Sequence, residues 1–391
     1  EVKKIYQNIK STLVDKKNLT IRVKNWFDFS DLNEYLLHWS VTGDDGTIVA
    51  EGSKEVTCAP HAVVDITLGA VKLPKTLREA YLNLSWTRVK ATPLVTSDWE
   101  VAYDQFVLPV SKNSWSGKPA KAGNTTFVVD EATGALKSLC LDGEELLASP
   151  ITLSLFRPAT DNDNRDQNGA KLWRQAGLDH LTQKVVSLKE GKNKTTVKAD
   201  ILNAEGKKIG NAEFIYALNR DGSMKVQTTF EPDTSLVKSM ARLGITFEMK
   251  DTYENVTYLG RGEHETYTDR NQSGKIGVYK TTPERMFHYY VVPQSTGNRT
   301  DVRWLQLTDE HGKGCWIEAN SFFQFSTFPF SDVILEKARH INELKRDGKI
   351  TIHLDAEQAG VGTATCGPGV LPSYLVPLTK QTFDFTIYPV K

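Results

Sequence analysis

The feature that most constrains this chain is the recurrence of short runs in which apolar and polar residues alternate, each cut off by Gly, Asp, Asn or Pro. In Tyr35-Leu36-Leu37-His38-Trp39-Ser40-Val41, residues Tyr35, Leu37, Trp39 and Val41 share one face of an extended strand. Asp44-Asp45-Gly46 then supplies a hairpin turn, because Asp-Gly tolerates positive φ. Leu19 to Trp26, Val63 to Leu68, Tyr81 to Trp86 and Trp99 to Leu108 are further strands, and Ile5-Tyr6-Gln7 starts the series. About seven short strands in the first ~110 residues predict an immunoglobulin-like sandwich. The Cys–Trp–Cys pattern of antibody domains is missing, since only Cys58 accompanies Trp39. The inward aromatics are therefore core rather than a ligand platform.

The pattern continues beyond Ser111 to Gly123, a stretch rich in Gly, Ser, Pro and Lys that reads as a linker. Phe127 to Asp130 and Ala135 to Leu139 make a hairpin about Glu131-Ala132-Thr133-Gly134. Strand-like runs follow at Thr195–Leu202, Glu213–Leu218, Met224–Phe230, Gly244–Met249 and Asn255–Leu259. Others lie at Val302–Leu307, Gly314–Glu318, Phe322–Phe328, Ile350–Leu354 and Phe383–Tyr388. With hardly any helix, the expected class is all-β: an immunoglobulin-like sandwich over 1–112, a linker over 113–123, and a large antiparallel sandwich over 124–391.

At 391 residues, two domains are the default. Lys plus Arg and Asp plus Glu each number 48, and no long basic block occurs, which argues against nucleic acid or an anionic membrane as partner. No apolar run approaches the roughly 18 residues of a membrane span. The chain opens at Glu1 without Met and reads as a piece of something longer, so its compartment is not legible. Cys58, Cys140, Cys315 and Cys366 are far apart, without CxxC spacing, and predict neither a zinc site nor a disulfide framework.

One stretch stands apart. Arg157-Pro158-Ala159-Thr160-Asp161-Asn162-Asp163-Asn164-Arg165-Asp166-Gln167-Asn168-Gly169 lies between an apolar run, Ile151 to Phe156, and a short amphipathic run, Leu172 to Leu178. Strand, polar loop and one or two helical turns is the plainest reading. Such a loop can hydrogen-bond sugar hydroxyls or another domain's backbone, or it is a solvated turn.

Arg-Pro-x-Thr-Asp-Asn-Asp followed by Trp-Arg-x-Ala-Gly resembles the last domain of the large bacterial β-galactosidases of glycoside hydrolase family 2. Glu1 to Gln7 resembles the point where those enzymes leave their catalytic barrel, and Trp99 to Pro109 the closing strand of the sandwich that follows. Tyr258 to Arg270 and Val292 to Trp304 resemble the last domain again, although relatives often carry Glu where Ser295 sits. The resemblance implies a retaining hydrolase of terminal β-D-galactosides whose two catalytic carboxylates lie on a (β/α)8 barrel. The nucleophile, the acid/base and the barrel's Mg and Na ions would then lie outside this chain, leaving it inactive alone and free of cofactor or metal. Its expected partners are the N-terminal and barrel domains and the β-galactoside at a shared rim, and the parent would be a homo-oligomer. The rim candidates are Asp161, Asn162, Asp163, Asn164, Arg165 and Asp166, with Asn164 to Gly169 as the mobile part. Cys366 and Gly367 join them, because in the family a loop near Gly360 to Gly369 delivers a Trp that stacks on the outer sugar.

Two alternatives stay open. A free-standing carbohydrate-binding module would show a solvent-facing row of aromatics. An autonomous enzyme like the aldose mutarotases, whose architecture the family's last domain shares, needs an acid and a base in reach of one sugar. Glu263-His264-Glu265 has suitable residue types, but on a strand His264 would point away from both carboxylates. His288 and His353 read as packed aromatics, Gly260 and Gly262 as turn glycines, and the Gly360 to Gly369 loop as either a rim or a structural turn burying Cys366.

Overall fold

A computed structural model describes residues 1–119 and 124–390. The chain divides into two compact units, one of residues 1–118 with 275–278 and one of 119–274 with 279–391. Each is built from antiparallel sheets.

In the first unit, β1 (Ile9–Asp15), β2 (Thr20–Asn25) and β5 (Val63–Thr67) form a three-stranded sheet in the order β1-β2-β5. The four-stranded sheet runs β4-β3-β6-β7, from β3 (Tyr35–Gly43), β4 (Ile48–Glu55), β6 (Glu79–Arg88) and β7 (Glu100–Pro109). Alternation decides which side chains go in. Tyr35, Leu37 and Val41 of β3 pack with Leu82, Leu84 and Trp86 of β6 and with Ile21 and Val23 of the other sheet, in one apolar core. Fully burying each such side chain contributes roughly 1.5–3 kcal/mol. Gly46, at φ 81°, closes the β3–β4 hairpin as the Asp-Gly pattern requires. Ile5-Tyr6-Gln7 does not begin a strand: Val2–Ile5 is a single helical turn, and the first strand starts at Ile9. The part of the linker reading that falls on 113–119 carries a buried Trp115, over which Arg78 stacks at 4.3 Å. The part on 120–123 lies outside the described residues.

In the second unit, β8 (Thr125–Val129), β9 (Leu136–Leu141) and β10 (Glu144–Glu145) make a small sheet, with Gly134 at φ 72° in the turn. A 12-stranded sheet carries the rest. Its strands are β11 (Thr152–Ser154), β12 (Thr182–Gly191), β13 (Lys194–Leu202), β14 (Lys208–Leu218), β15 (Met224–Pro232) and β16 (Arg242–Lys250), then β17 (Asn255–Gly262), β18 (Lys275–Thr281, of which only 279–281 count with this unit), β19 (Arg299–Thr308), β20 (Gly314–Phe328), β21 (Lys349–Gln358) and β22 (Gln381–Val390). The main path runs β11-β16-β21-β20-β22-β15-β14-β13-β12, with β17, β18 and β19 branching from it. One continuous apolar core joins Phe214, Val226, Ile245, Leu305, Ile317, Phe325, Leu354 and Ile387. The fold is thus all-β.

Gly314–Glu318 and Phe322–Phe328, separate runs in the sequence pattern, are one strand. β20 pairs with β22 through Gly314–Glu318, then with β21 through Gln324–Phe328. Residues 319–323 therefore lie where β21 and β22 part company.

Candidate functional site

The loop after β11 is held by one guanidinium. Arg157 is fully buried, a position that an arginine tolerates only when its donors are met. Its Nε and Nη2 donate to the two carboxylate oxygens of Asp163 at 3.0 and 2.7 Å. Nη1 donates to the Ala359 carbonyl and Nη2 also to that of Gly360, each at 2.8 Å. Burial works against the charge, but Asp163 outweighs it and holds the Arg157 pKa above its ordinary value. Asp163 in turn accepts from the Thr160 amide, and its own amide donates to the Thr160 hydroxyl, which folds Thr160–Asp163 into a tight turn. Gly169 completes the loop, because a Cβ there would lie 2.2 Å from the Asp163 carbonyl oxygen. The helix Ala170–Ala176 follows and ends at Gly177, φ 71°.

Two more side chains stitch this loop to the loop after β21, and a third, Asp269, ties in the segment after β17. The Asn162 amide donates to the Gly362 carbonyl at 2.9 Å, and its oxygen accepts from the amide and hydroxyl of Thr365 at 3.1 and 2.7 Å. Asp166 accepts from the Val370 amide at 2.6 Å, and Gly369 leaves the room: a Cβ there would meet that carboxylate at 2.6 Å. Asp269 accepts from the Val361 and Gly362 amides at 3.1 and 2.8 Å.

Where these loops meet lies a cavity of about 230 Å³, lined by Asp161, Asn162, Glu265, Arg270, Tyr290 and Thr365, with Tyr267, Gln294 and Ser295 beneath. Gln294 fixes Asp161, accepting from its amide at 3.0 Å and donating to its carboxylate at 3.2 Å. Glu265 accepts from Arg270 and, at 2.8 Å, from the Gly297 amide. Arg270 also lies 5.3 Å from the Tyr267 ring, and burial pushes the Tyr267 hydroxyl well above its usual pKa. The Ser295 hydroxyl is buried and has no partner among the described residues. The cavity can offer acceptors and donors to a hydroxylated ligand; Glu265 is bound on both oxygens.

The sequence-level candidates divide accordingly. Asp163 and Asp166 are buried and engaged in the scaffold, Asn162 bridges the two loops, and Asp161 reaches the cavity. Asn164 and Arg165 are exposed, and the Asn164 side chain donates to the Thr160 carbonyl. Cys366 and Gly367 sit in an exposed turn in which both amides donate to the Thr363 carbonyl, at 3.0 and 2.7 Å. The structural-turn reading of this loop thus fits its geometry, but Cys366 is exposed, not buried.

The strand argument for Glu263-His264-Glu265 fails, because β17 ends at Gly262 and these residues follow in a bend. His264 is directed to the Ser273 hydroxyl at 2.8 Å. Arg270, Tyr290 and Gln294 were not singled out from the sequence. Arg270 and Gln294 lie inside fingerprints quoted above, but only the fold shows that two segments some 25 residues apart close on one cavity. Among the described residues, no group of three or more His, Cys, Asp or Glu is placed to hold a metal ion, and no helix is long and apolar enough to cross a membrane.

Two family descriptions match the chain: the β-galactosidase small chain over residues 121–388 and β-galactosidase domain 4 over 21–109. A β-galactosidase of Priestia megaterium is 30% identical over 384 residues, covering 93% of this chain and 36% of that protein. One from Aeromonas hydrophila is 28% identical, covering 93% and 37%, and one from Actinobacillus pleuropneumoniae 24% identical, covering 96% and 38%. The chain thus spans less than two fifths of the length of these curated relatives. With the small-chain description running through nearly all of the larger unit, the chain belongs to the β-galactosidase family.

Proposed function

We propose that this chain is the C-terminal, non-catalytic part of an enzyme that hydrolyses terminal β-D-galactosides. In this reading the two units scaffold a (β/α)8 barrel carried elsewhere in the polypeptide, which supplies the two catalytic carboxylates and any metal chemistry. The larger unit lends the barrel a rim.

The observation that carries the reading is the Arg157 staple. It locks a loop after β11 and a loop after β21, about 200 residues apart in sequence, into one edge that presents Asp161, Asn162 and Thr365 together. Glycosidases gain rate by positioning the sugar, and rim residues act by binding and orienting it rather than by proton transfer. A mutarotase-like centre gains no support, because Glu265 is held by Arg270 and the Gly297 amide and His264 faces Ser273.

The chain alone, incubated with nitrophenyl β-galactoside, is expected to give no turnover above buffer. Measurable hydrolysis that survives repurification would overturn the reading. In the intact polypeptide, Asp161→Ala is expected to raise KM for a disaccharide galactoside several-fold with kcat little changed, the mark of lost uniform binding.

A further inference from the structure

A second cavity, of about 330 Å³, opens where β20 exchanges β22 for β21. It lies in the larger unit and shares no lining residue with the rim cavity. Residues 319–323 have no ladder partner on β21 or β22, and Asn320 reaches β22 only through the Asp384 side chain.

The chemistry inside is specific. Phe383 and Phe385 meet at 5.9 Å and Phe385 packs on Phe323 at 5.5 Å, giving an apolar floor. Phe322, 50% exposed, forms a wall; Arg303 covers one face of its ring at 3.9 Å. Asp384 is already engaged, with Lys225 at 2.7 Å and the Asn320 amide at 2.6 Å. Glu357 is different. Its carboxylate is half-buried in the cavity and has no hydrogen-bond partner or counter-ion among the described residues, and burial alone raises its pKa. The Gln227 amide and the Ser321 hydroxyl beside it are likewise uncommitted. Half-buried and without a protein donor, this carboxylate is open to a hydroxyl brought by a ligand.

We propose that this cleft binds a neutral saccharide, one pyranose ring lying against Phe322 and Phe383 while its hydroxyls pair with Glu357, Gln227 and Ser321. Apolar ring faces beside a few planar polar groups suit a sugar, which has a C–H face and a hydroxyl edge. A cationic ligand fits less well, because Asp384 is already paired with Lys225. The site would make the larger unit a carbohydrate-holding module in its own right, independent of the rim.

The test is saturation-transfer NMR and titration of the chain with methyl β-galactoside, methyl β-glucoside and cellobiose, with putrescine as the cationic probe. At least one saccharide is expected to bind with a Kd in the millimolar range. Glu357→Gln and Phe322→Ala, the second at an exposed side chain, should each weaken it at least about fivefold, while Asp161→Ala leaves it unchanged. Circular dichroism confirms that each variant is folded. Four results would overturn the proposal: no saturable saccharide signal, binding that survives both cleft variants, binding lost in Asp161→Ala, or putrescine held more tightly than every sugar.

Discussion

The larger unit buries two arginine–aspartate pairs, and they are built to opposite standards. Arg157 and Asp163 meet through two parallel hydrogen bonds, and the guanidinium's remaining reach is taken by two backbone carbonyls. Arg242 and Asp355 are as deeply buried, yet they approach only to 3.7 Å. The Nε and Nη1 of Arg242 and the Oδ1 of Asp355 have no hydrogen-bond partner among the described residues. Burial pushes the Asp355 pKa up, with Arg242 only partly offsetting it, whereas the Arg157 charge is reinforced. A buried ion pair stabilises only when geometry and accessory hydrogen bonds repay desolvation. The first pair meets that condition and can hold a functional edge in place; the second does not.

Removing one half of the saturated pair should have the largest effect. Arg157→Met strands Asp163 without its cation, and urea unfolding is expected to show a loss of about 3–5 kcal/mol. A loss below 1 kcal/mol would show that the two pairs do not differ as described. The sharper comparison removes both partners at once. Arg242→Met with Asp355→Asn should be neutral or stabilising, by up to a few kcal/mol. Arg157→Met with Asp163→Asn should still destabilise, because the Ala359 and Gly360 carbonyls lose their donors.

Acid provides a third handle. Asp332 accepts from His353 at 3.1 Å, and although burial raises its pKa, His353 and Arg242 bring it below the ordinary carboxylate value. A lowered folded-state pKa means stability that is present above the unfolded value and lost as pH falls through the folded one. Asp355 has the opposite sign: its raised pKa gives a contribution present in acid and lost as pH rises through the folded value. Asp332→Asn should therefore flatten the acid limb of a Tm-against-pH curve, and the Arg242/Asp355 double variant should gain most at neutral pH. The smallest effect belongs to the exposed Arg22–Asp65 pair, 2.8 Å apart in the first unit. Arg22→Ala is expected to leave the urea midpoint almost unmoved, with salt erasing any difference.

Much of the fold could be seen in the sequence wherever one face of a strand is buried. β3 and β6 show this directly, since Leu37 and Trp86 face one core from adjacent strands. Strands without such a face were missed. β4 (Ile48-Val49-Ala50-Glu51-Gly52-Ser53-Lys54-Glu55) is an edge strand with no buried residue, and β12 buries none of its residues fully and breaks register between Val185 and Ser187, so its alternation is weak in the sequence. The site was legible only as composition. Asp161 to Asp166 stood out as a polar run, but which of its members turn inward depends on the buried cation of Arg157 and on loops arriving from far along the chain. Residues 263–265 misled for a related reason: alternation presumes an extended ladder, and β17 had already ended.

The exchange of neighbours along β20 has a mechanical consequence. Fifteen residues long, this strand is clasped by β22 at one end and by β21 at the other, with β19 along its far side. Sliding it by a single residue would put Gln324, whose side-chain oxygen accepts from Asn298 at 2.9 Å, where the buried Phe325 packs, while breaking three ladders simultaneously. Neither half of the sheet can loosen without tugging on the other, so amide protons of β21 and β22 should exchange with deuterium at a common, slow rate set by global opening.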